Sequence, residues 1–445
     1  MRRRTAALLL LGLLGTAGSC LWFASVWLSP RPPNIVLVLG CTVRRDQTTP
    51  YGGPASTTPF LAELAAEGTR FADTVGASTW TRESSAAVLT GRHALSLGLP
   101  EPSRRPSQRI LPEEATLLAE VLRDAGFHTV GRTANPNLNA QYGMAQGFVD
   151  YGDTDLKGFA LRNKLYGEDV VDALLERVDA RDGAERRAPL FLQAVLIDAH
   201  TPRAPATEEQ RRFAEPGLPD LVRDYRAMLR RMDESVRQLD DGLQKRGFTE
   251  ENTLFVFVTD HGEGLQLPVH HRGGHGKMAY PSTAAIAWIL RGPGIPVGRE
   301  VPGLASQVDL LPTVLGLAGL SSPEPVAGQD LSRAVWGYAA ETGRERAYTS
   351  SWFHGANISA IWSADRQCQR DHGSVGTDDH PLRQGCFDRV RDPDFRRPPF
   401  EDVGLLGELD SWRAARVSEW EAWEIADADP SAATRSQLEI LGYTE

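Results

Sequence analysis

The chain is short of positive charge: across 445 residues, 48 lysines and arginines face 58 aspartates and glutamates, a formal charge of −10. A phosphate-backbone ligand needs a basic face, so nucleic acid is excluded as a general partner. There is no internal repeat, low-complexity tract or heptad pattern, which removes solenoid and coiled-coil scaffolds. Cysteine is scarce, with only Cys20, Cys41, Cys368 and Cys386, so each can be weighed individually. Long apolar runs are scarcer still. Only the uncharged stretch from Ala6 to Leu28 is long enough to cross ~30 Å of hydrocarbon as a helix.

That stretch follows Arg2, Arg3 and Arg4. Basic flanks stay cytoplasmic, so residues 1–30 are expected to anchor the chain in a membrane. The remainder would then lie outside the cytoplasm, in a periplasm or on a cell surface. Processing with lipid attachment at Cys20 is the alternative, because Ala17-Gly18-Ser19-Cys20 has the small residues of a cut site. Against it, the apolar run continues through Leu21, Trp22 and Phe23. In an oxidising compartment Cys368 and Cys386, which flank a polar loop, are expected to pair. Cys41 is left without a partner.

Three nearly continuous apolar runs, Asn34–Gly40, Phe191–Asp198 and Thr253–Asp260, read as buried parallel strands. Helical patterns separate them. One opens at Thr58-Pro59 and closes at Gly68, a second covers Glu114–Ala125, and a long one with a single apolar stripe runs from Leu221 to Leu243. This alternation predicts a doubly wound α/β fold, a large, mostly parallel sheet between helices, over residues 31–335. Residues 336–445 are richer in Trp, Arg and Asp and predict a smaller C-terminal α+β subdomain.

Ligands of such sheets bind at strand carboxyl ends. There the runs end in Cys41-Thr42, in Asp198-Ala199-His200-Thr201-Pro202, and in Asp260-His261-Gly262-Glu263. A carboxylate beside an imidazole suits divalent metals. Thr81 begins a small-residue helical segment whose first amides would stabilise an anionic ester group. The His270–His271 pair reads as a solvated loop.

These segments, in this order, resemble the sulfatase family of the alkaline-phosphatase superfamily. Asn34–Asp46 (NIVLVLGCTVRRD) is similar to the family's NIVLILVDTLRAD, and Pro50-Tyr51-Gly52 through Pro59 to its CYG…TPNL. Thr81–Gly91 resembles the nucleophile segment, with Thr81 at the nucleophile position. Asn135–Leu138 with Gln146-Gly147-Phe148 resembles NPNL…QGFD. Asp198–Pro202 is similar to DPHxP, Thr259–Glu263 to SDHGE, and His275-Gly276-Lys277 to HGK. Arg291–Gly294, Val308–Thr313 and Leu441-Gly442-Tyr443 match RGPG, VDLxPT and LGY, so the likeness spans roughly residues 33–445.

The resemblance implies an alkaline-phosphatase-like sandwich and one divalent metal (Ca, Mg, Mn or Zn). The metal would be held at Cys41, Thr81, Asp260 and His261, with Thr42 beside the first of them. It also gives His200 and Lys277 the ester oxygens and leaving group, and puts Arg132 at the family's GK lysine. Two departures follow. Sulfatases oxidise a Cys or Ser in C/S-x-P-x-R to formylglycine, whereas Thr81 carries a β-methyl group, and Glu83 and Ser85 replace the motif's Pro and Arg. Cys41 stands where the family has a metal carboxylate, which favours zinc if the thiolate ligates. The expected activity is metal-dependent hydrolysis or transfer of phosphate or sulfate esters on small molecules, glycans or lipids, with Thr81 as nucleophile. The alternative is an impaired relative, its metal site abandoned, that binds anionic glycans or lipid head groups without turnover.

Overall fold

A computed structural model describes residues 32–100, 108–153, 164–268, 271, 273–323, 325–374, 383–421 and 423–443. The expected anchor Ala6–Leu28, Cys20 and His270 lie outside the described residues. Among the described residues, no helix is long and apolar enough to cross a membrane.

The first apolar run is strand β1, Asn34–Gly40. The other strands of its sheet are β2 (Thr69–Val75), β3 (His128–Thr133), β4 (Asp150–Asp153), β5 (Leu190–Leu196), β6 (Thr253–Thr259), β7 (Ala285–Ile286), β8 (Trp288–Arg291) and β9 (Arg299–Ser306). Their order is β9-β2-β8-β6-β1-β5-β3-β4, with β7 paired to β2. Strands β6, β1, β5, β3 and β4 are mutually parallel, as are β2 and β9, while β8 runs antiparallel between β6 and β2. The mixed α/β sheet is thus mostly parallel, as the unbroken apolar runs predict.

Side-chain alternation explains why these strands are apolar throughout. Ile35, Leu37 and Leu39 join one apolar cluster with Val256, Val258 and Trp288, while Val36 and Val38 join another with Leu192, Phe255 and Phe257. Helices cover both faces. Helix α2 (Thr81–Thr90) adds Ala86, Val88 and Leu89 to the first cluster. The long helix α5 (Asp220–Gln244) adds Tyr225, Leu229, Met232 and Val236 to the second. Each such fully buried side chain stabilises the fold by about 1.5–3 kcal/mol.

The element ends correct the expectations in detail. Helix α1 spans Pro59–Glu67, but Thr58 does not cap it, because its hydroxyl accepts from Thr49 N at 2.7 Å. Asp233 of α5 does so from outside, receiving the Phe60 and Leu61 amides at 2.9 Å each. The Glu114–Ala125 pattern yields only α3, Leu118–Asp124, whose start is fixed by the Glu120 carboxylate on Leu117 N. Helix α4 covers Gly167–Asp179. Asp198 and Asp260 lie just past their strands rather than within them.

A second sheet is antiparallel: β10 (Ala347–Phe353), β11 (Ala356–Trp362), β12 (Arg366–Asp371) and β13 (Gly385–Asp388), in sequence order. Cys368 and Cys386 are directly opposed on β12 and β13 and form a disulfide. Helices α6 (Leu310–Leu317), α7 (Val403–Trp420) and α8 (Ala432–Ile440) follow β9 and this sheet. Contacts gather Asn34–Glu445 into one unit, with the antiparallel sheet inside it. The β10 strand is joined to the segment before α2 through Ser350 N on Ala77 O and the Thr349 hydroxyl on Gly76 O.

Candidate active site

Register brings the site together. Gly40 is level with Leu196 and Thr259, and Thr133 with Val195, so four neighbouring parallel strands end on one rim. The next residues are Cys41-Thr42, Asp198 to His200, Asp260-His261 and Asn135. Gly40 is where the chain bends, and a Cβ there would press on Phe257 and Val43 at 3.1 Å. Thr42 follows with φ of 57°, a strained left-handed turn for a β-branched residue. Tyr225 of α5 holds that turn from both sides, donating to Thr42 O and accepting from Arg44 N at 2.7 Å each.

Thr81 enters from α2, as the first residue of a helix whose side chains are all buried. Its Oγ1 lies 3.2 Å from Cys41 Sγ and 3.3 Å from His261 Nε2. Asn135 Nδ2 approaches Thr81 Oγ1 and Cys41 Sγ at 3.4 Å each. Gln307 ties these elements together, accepting from Ala77 N and donating to Asp260 O at 2.7 Å. Cys41, Thr42, Thr81, Asp260 and His261 are all fully buried.

Hydrogen bonds fix the chemistry of each donor. Asp260 Oδ1 accepts from Thr42 N and His261 N, while Oδ2 is buried without a hydrogen-bond partner among the described residues, 3.4 Å from His261 Nε2. His261 Nδ1 faces Gly262 O at 2.8 Å, and a carbonyl can only accept. The Nδ1 position therefore carries the proton and Nε2 presents its lone pair to Thr81. Burial pulls the His261 pKa below its ordinary value, against the opposing charge of Asp260, which keeps the ring neutral. Burial, then the Asp260 charge, pushes the Cys41 thiol well up.

One ligand atom from each of Cys41, Asp260 and His261 lies within 4.8 Å of the others. Successive donors Cys41 Sγ, Thr81 Oγ1, His261 Nε2 and Asp260 Oδ2 are 3.2, 3.3 and 3.4 Å apart. These three separations match the ~3.4 Å edges of a tetrahedron with bonds of ~2.1 Å, a spacing that suits one shared ion.

His200 donates from Nδ1 to Thr201 O, leaving Nε2 buried and without a partner among the described residues. Burial first, then His275, holds its pKa well below the ordinary range. Its ring lies 5.3 Å from His275, which in turn is 4.5 Å from His261. Glu263 is paired with Arg203 at 2.7 Å, with His275 at 3.5 Å. Burial alone would raise that carboxyl, but His275 and Arg203 outweigh it and hold it at about 2.

Three expected site residues are placed otherwise. The Thr42 hydroxyl donates to Cys41 O, and its amide donates to Asp260 Oδ1. Arg132 pairs with Asp150, which also binds Arg177, because strand alternation turns it towards β4. Lys277 is exposed, beyond a short hairpin of Gly264–Leu265 with Gly273–Gly274. Two other residues were not foreseen. Asn135 was visible in the NPNL segment but without a role. Lys164 is fully buried and donates to the carbonyls of Asp198 and His200 at 2.7 and 2.5 Å, and burial draws its pKa down to about 7. No pattern around Lys164 marks it in the sequence. His271, expected in a loop, is buried and bonded to Asp394 O.

A doubly wound sheet with a hydroxyl, an imidazole and a thiol–carboxylate pair on one carboxyl rim is an α/β architecture of the alkaline-phosphatase-like kind. Residues 33–320 match the family model described as Sulfatase, and the chain belongs to the sulfatase family. Arylsulfatase A of Homo sapiens is 27% identical over 458 residues, covering 85% of this chain and 84% of that protein. A protein solved in complex with its substrate D-glucosamine-2-N,6-O-disulfate superposes with a TM-score of 0.69 at 16% identity, over 88% of this chain and 98% of that one. The phosphonate monoester hydrolase of Silicibacter pomeroyi gives 0.64 at 18% identity, over 87% and 94%. These two likenesses carry the fold.

Proposed function

We propose that this protein hydrolyses sulfate or phosphate esters of sugar-type alcohols, with the unmodified Thr81 hydroxyl as nucleophile. The observation that carries this reading is the Thr81 Oγ1–His261 Nε2 contact of 3.3 Å, at the start of a buried helix. The membership in a family of sulfate-ester hydrolases supports the ester class. Threonine cannot yield formylglycine, so a direct attack replaces the aldehyde route.

In the first half-reaction Thr81 Oγ1 attacks sulfur or phosphorus and its proton passes through water to the departing alcohol. The bond from sulfur or phosphorus to the bridging oxygen breaks, and that proton goes to the bridging oxygen as the alcohol leaves. In the second half-reaction water attacks the Thr81 ester, and the free Nε2 of His200 accepts the water's proton. Sulfate or phosphate departs, and the proton taken up by His200 passes to Thr81 Oγ1, which restores the threonine hydroxyl. Helix N-terminal amides and Asn135 Nδ2 stabilise the charge that builds on the peripheral oxygens. Cys41, Asp260 and His261, with Thr81, would hold a divalent ion, and one sulfur with one nitrogen suits zinc better than calcium, which takes six to eight oxygens. When bound, it would lower the pKa of the threonine hydroxyl and offset the charge of the ester. The disulfide Cys368–Cys386 and the arginine-flanked apolar N-terminal stretch support an extracytoplasmic site of action, with the chain tethered to a membrane.

The test uses aryl sulfate, aryl phosphate and bis-aryl phosphodiester substrates. Thr81→Ala should lose at least ~10³-fold in kcat/KM on whichever ester the wild type turns over. Acid-quenched wild type should carry the sulfuryl or phosphoryl group on the peptide containing Thr81. Equal rates for the two proteins would overturn the nucleophile assignment, and equal inactivity on all three esters would leave a binding protein.

A further inference from the structure

The last helix delivers a side chain to the nucleophile. Ser431 caps α8, receiving Thr434 N at 3.2 Å. After Leu441 the chain turns back at Gly442, with φ of 78°, and Tyr443 N bonds to Leu438 O at 2.8 Å while Gly442 N bonds to Glu439 O. This is a helix-terminating turn in which only glycine is unstrained. Leu438, Leu441 and Tyr443 then pack into the cluster that contains Val38, Cys41 and Trp80. The Tyr443 ring lies 5.1 Å from that of His200 and is 1% exposed.

A buried phenol ordinarily finds a hydrogen-bond partner. Among the described residues the Tyr443 hydroxyl has none of ordinary geometry, although Thr81 and Asn135 stand close beside it. A neutral phenol carries a proton that it can offer to an anionic oxygen. The Asn135 amide is fixed alongside, since its Oδ1 accepts from Asn137 N at 3.0 Å and aims Nδ2 at Thr81. Two neutral donors therefore flank Thr81 Oγ1, one held by the turn after β3 and one by the C-terminal helix.

We infer that Tyr443 is a catalytic residue, whose hydroxyl joins Asn135 Nδ2 in binding a peripheral oxygen of the sulfuryl or phosphoryl group as it passes to Thr81. This rests on Thr81 being the nucleophile. The unpartnered hydroxyl is the donor that waits for that oxygen, and the phenol's rigid mounting means no reorientation is needed when charge develops.

The experiment is Tyr443→Phe in the full chain, which keeps the ring and removes only the hydroxyl. It should lower kcat by roughly 10²-fold with KM nearly unchanged, as loss of one such donor does. Affinity for orthovanadate, a mimic of the five-coordinate transition state, should fall in parallel, and this titration needs no turnover. The melting temperature should stay within a degree, because no protein hydrogen bond is lost. Unchanged kcat/KM and vanadate affinity would overturn the assignment. So would a rise in KM alone with vanadate binding intact, since that is the mark of a ring that merely shapes the pocket. If Thr81→Ala abolishes turnover while Tyr443→Phe is wild-type, only Tyr443 is misassigned. If Thr81→Ala is fully active, the nucleophile reading itself fails.

Discussion

Cys41 and Cys368 are both fully buried, and each belongs to a β-sheet region, yet their surroundings differ in kind. Cys368 sits within an antiparallel ladder, where register sets Cys386 directly opposite and the two sulfurs close on each other. Cys41 sits one residue past a parallel strand. Parallel neighbours end together there, so what faces it is a set of donors from other elements: Thr81, Asn135, Asp260 and His261. A ladder satisfies its groups internally, whereas the carboxyl rim of a parallel sheet collects groups whose partners must come from elsewhere. The contrast assigns stability to one cysteine site and chemistry to the other.

The sharpest way to break that contrast is Cys41→Ser, which changes one atom. If the thiol is a working ligand, zinc affinity and kcat should both fall by ~10²-fold or more, with little change in melting temperature. Cys41→Asp should move metal preference from zinc towards magnesium or calcium. Unaltered zinc content and turnover in Cys41→Ser would make the thiol an ordinary buried one. The opposite pattern is expected of the double variant Cys368→Ala with Cys386→Ala. Opening a bridge of sequence separation 18 should cost about 3 kcal/mol in denaturant unfolding while leaving kcat intact. A larger loss of kcat there than in Cys41→Ser would erase the distinction.

How far the sequence discloses this layout depends on distance along the chain. Asn34–Gly40 and Thr253–Thr259 are legible because burial on both faces demands unbroken apolar residues, and the polar residues just beyond them mark the rim. Cys41, Asp260 and His261 follow from that rule. Arg132 and Lys277 do not, because motif position says nothing about the direction of a side chain. Strand alternation sends the first to Asp150, and the second projects to solvent. Lys164 and Tyr443 are illegible for another reason. Lys164 meets the Asp198 and His200 carbonyls across 34 and 36 residues, and Tyr443 reaches Thr81 only through the tertiary return of the last helix. No local periodicity encodes either contact. The Asp233 cap on α1 is hidden in the same way, 173 residues from the amide it receives.

The two regions meet at Glu83, and the smallest predicted effect lies there. Glu83 is two residues after Thr81, fully buried, and its carboxyl accepts from Ser78 Oγ at 2.7 Å and from Trp352 N of β10 at 3.3 Å. Burial pushes its pKa up to about 7, against the lowering by Ser78, Trp80 and Trp352. The folded chain therefore keeps a proton that the unfolded chain releases near pH ~4.3. Between those values the native state binds more protons than the unfolded state, so this group's contribution is complete below pH ~4.3 and is lost as pH rises through about 7. Glu83→Gln removes the titration while keeping the shape. The variant should match the wild type in unfolding free energy at pH ~4 and exceed it at pH ~6 by on the order of 2 kcal/mol. Parallel stability curves for the two proteins across that range would mean Glu83 is ionised in the fold. The contact between the catalytic helix and the antiparallel sheet would then be a charged one, with Arg413 as its counterion.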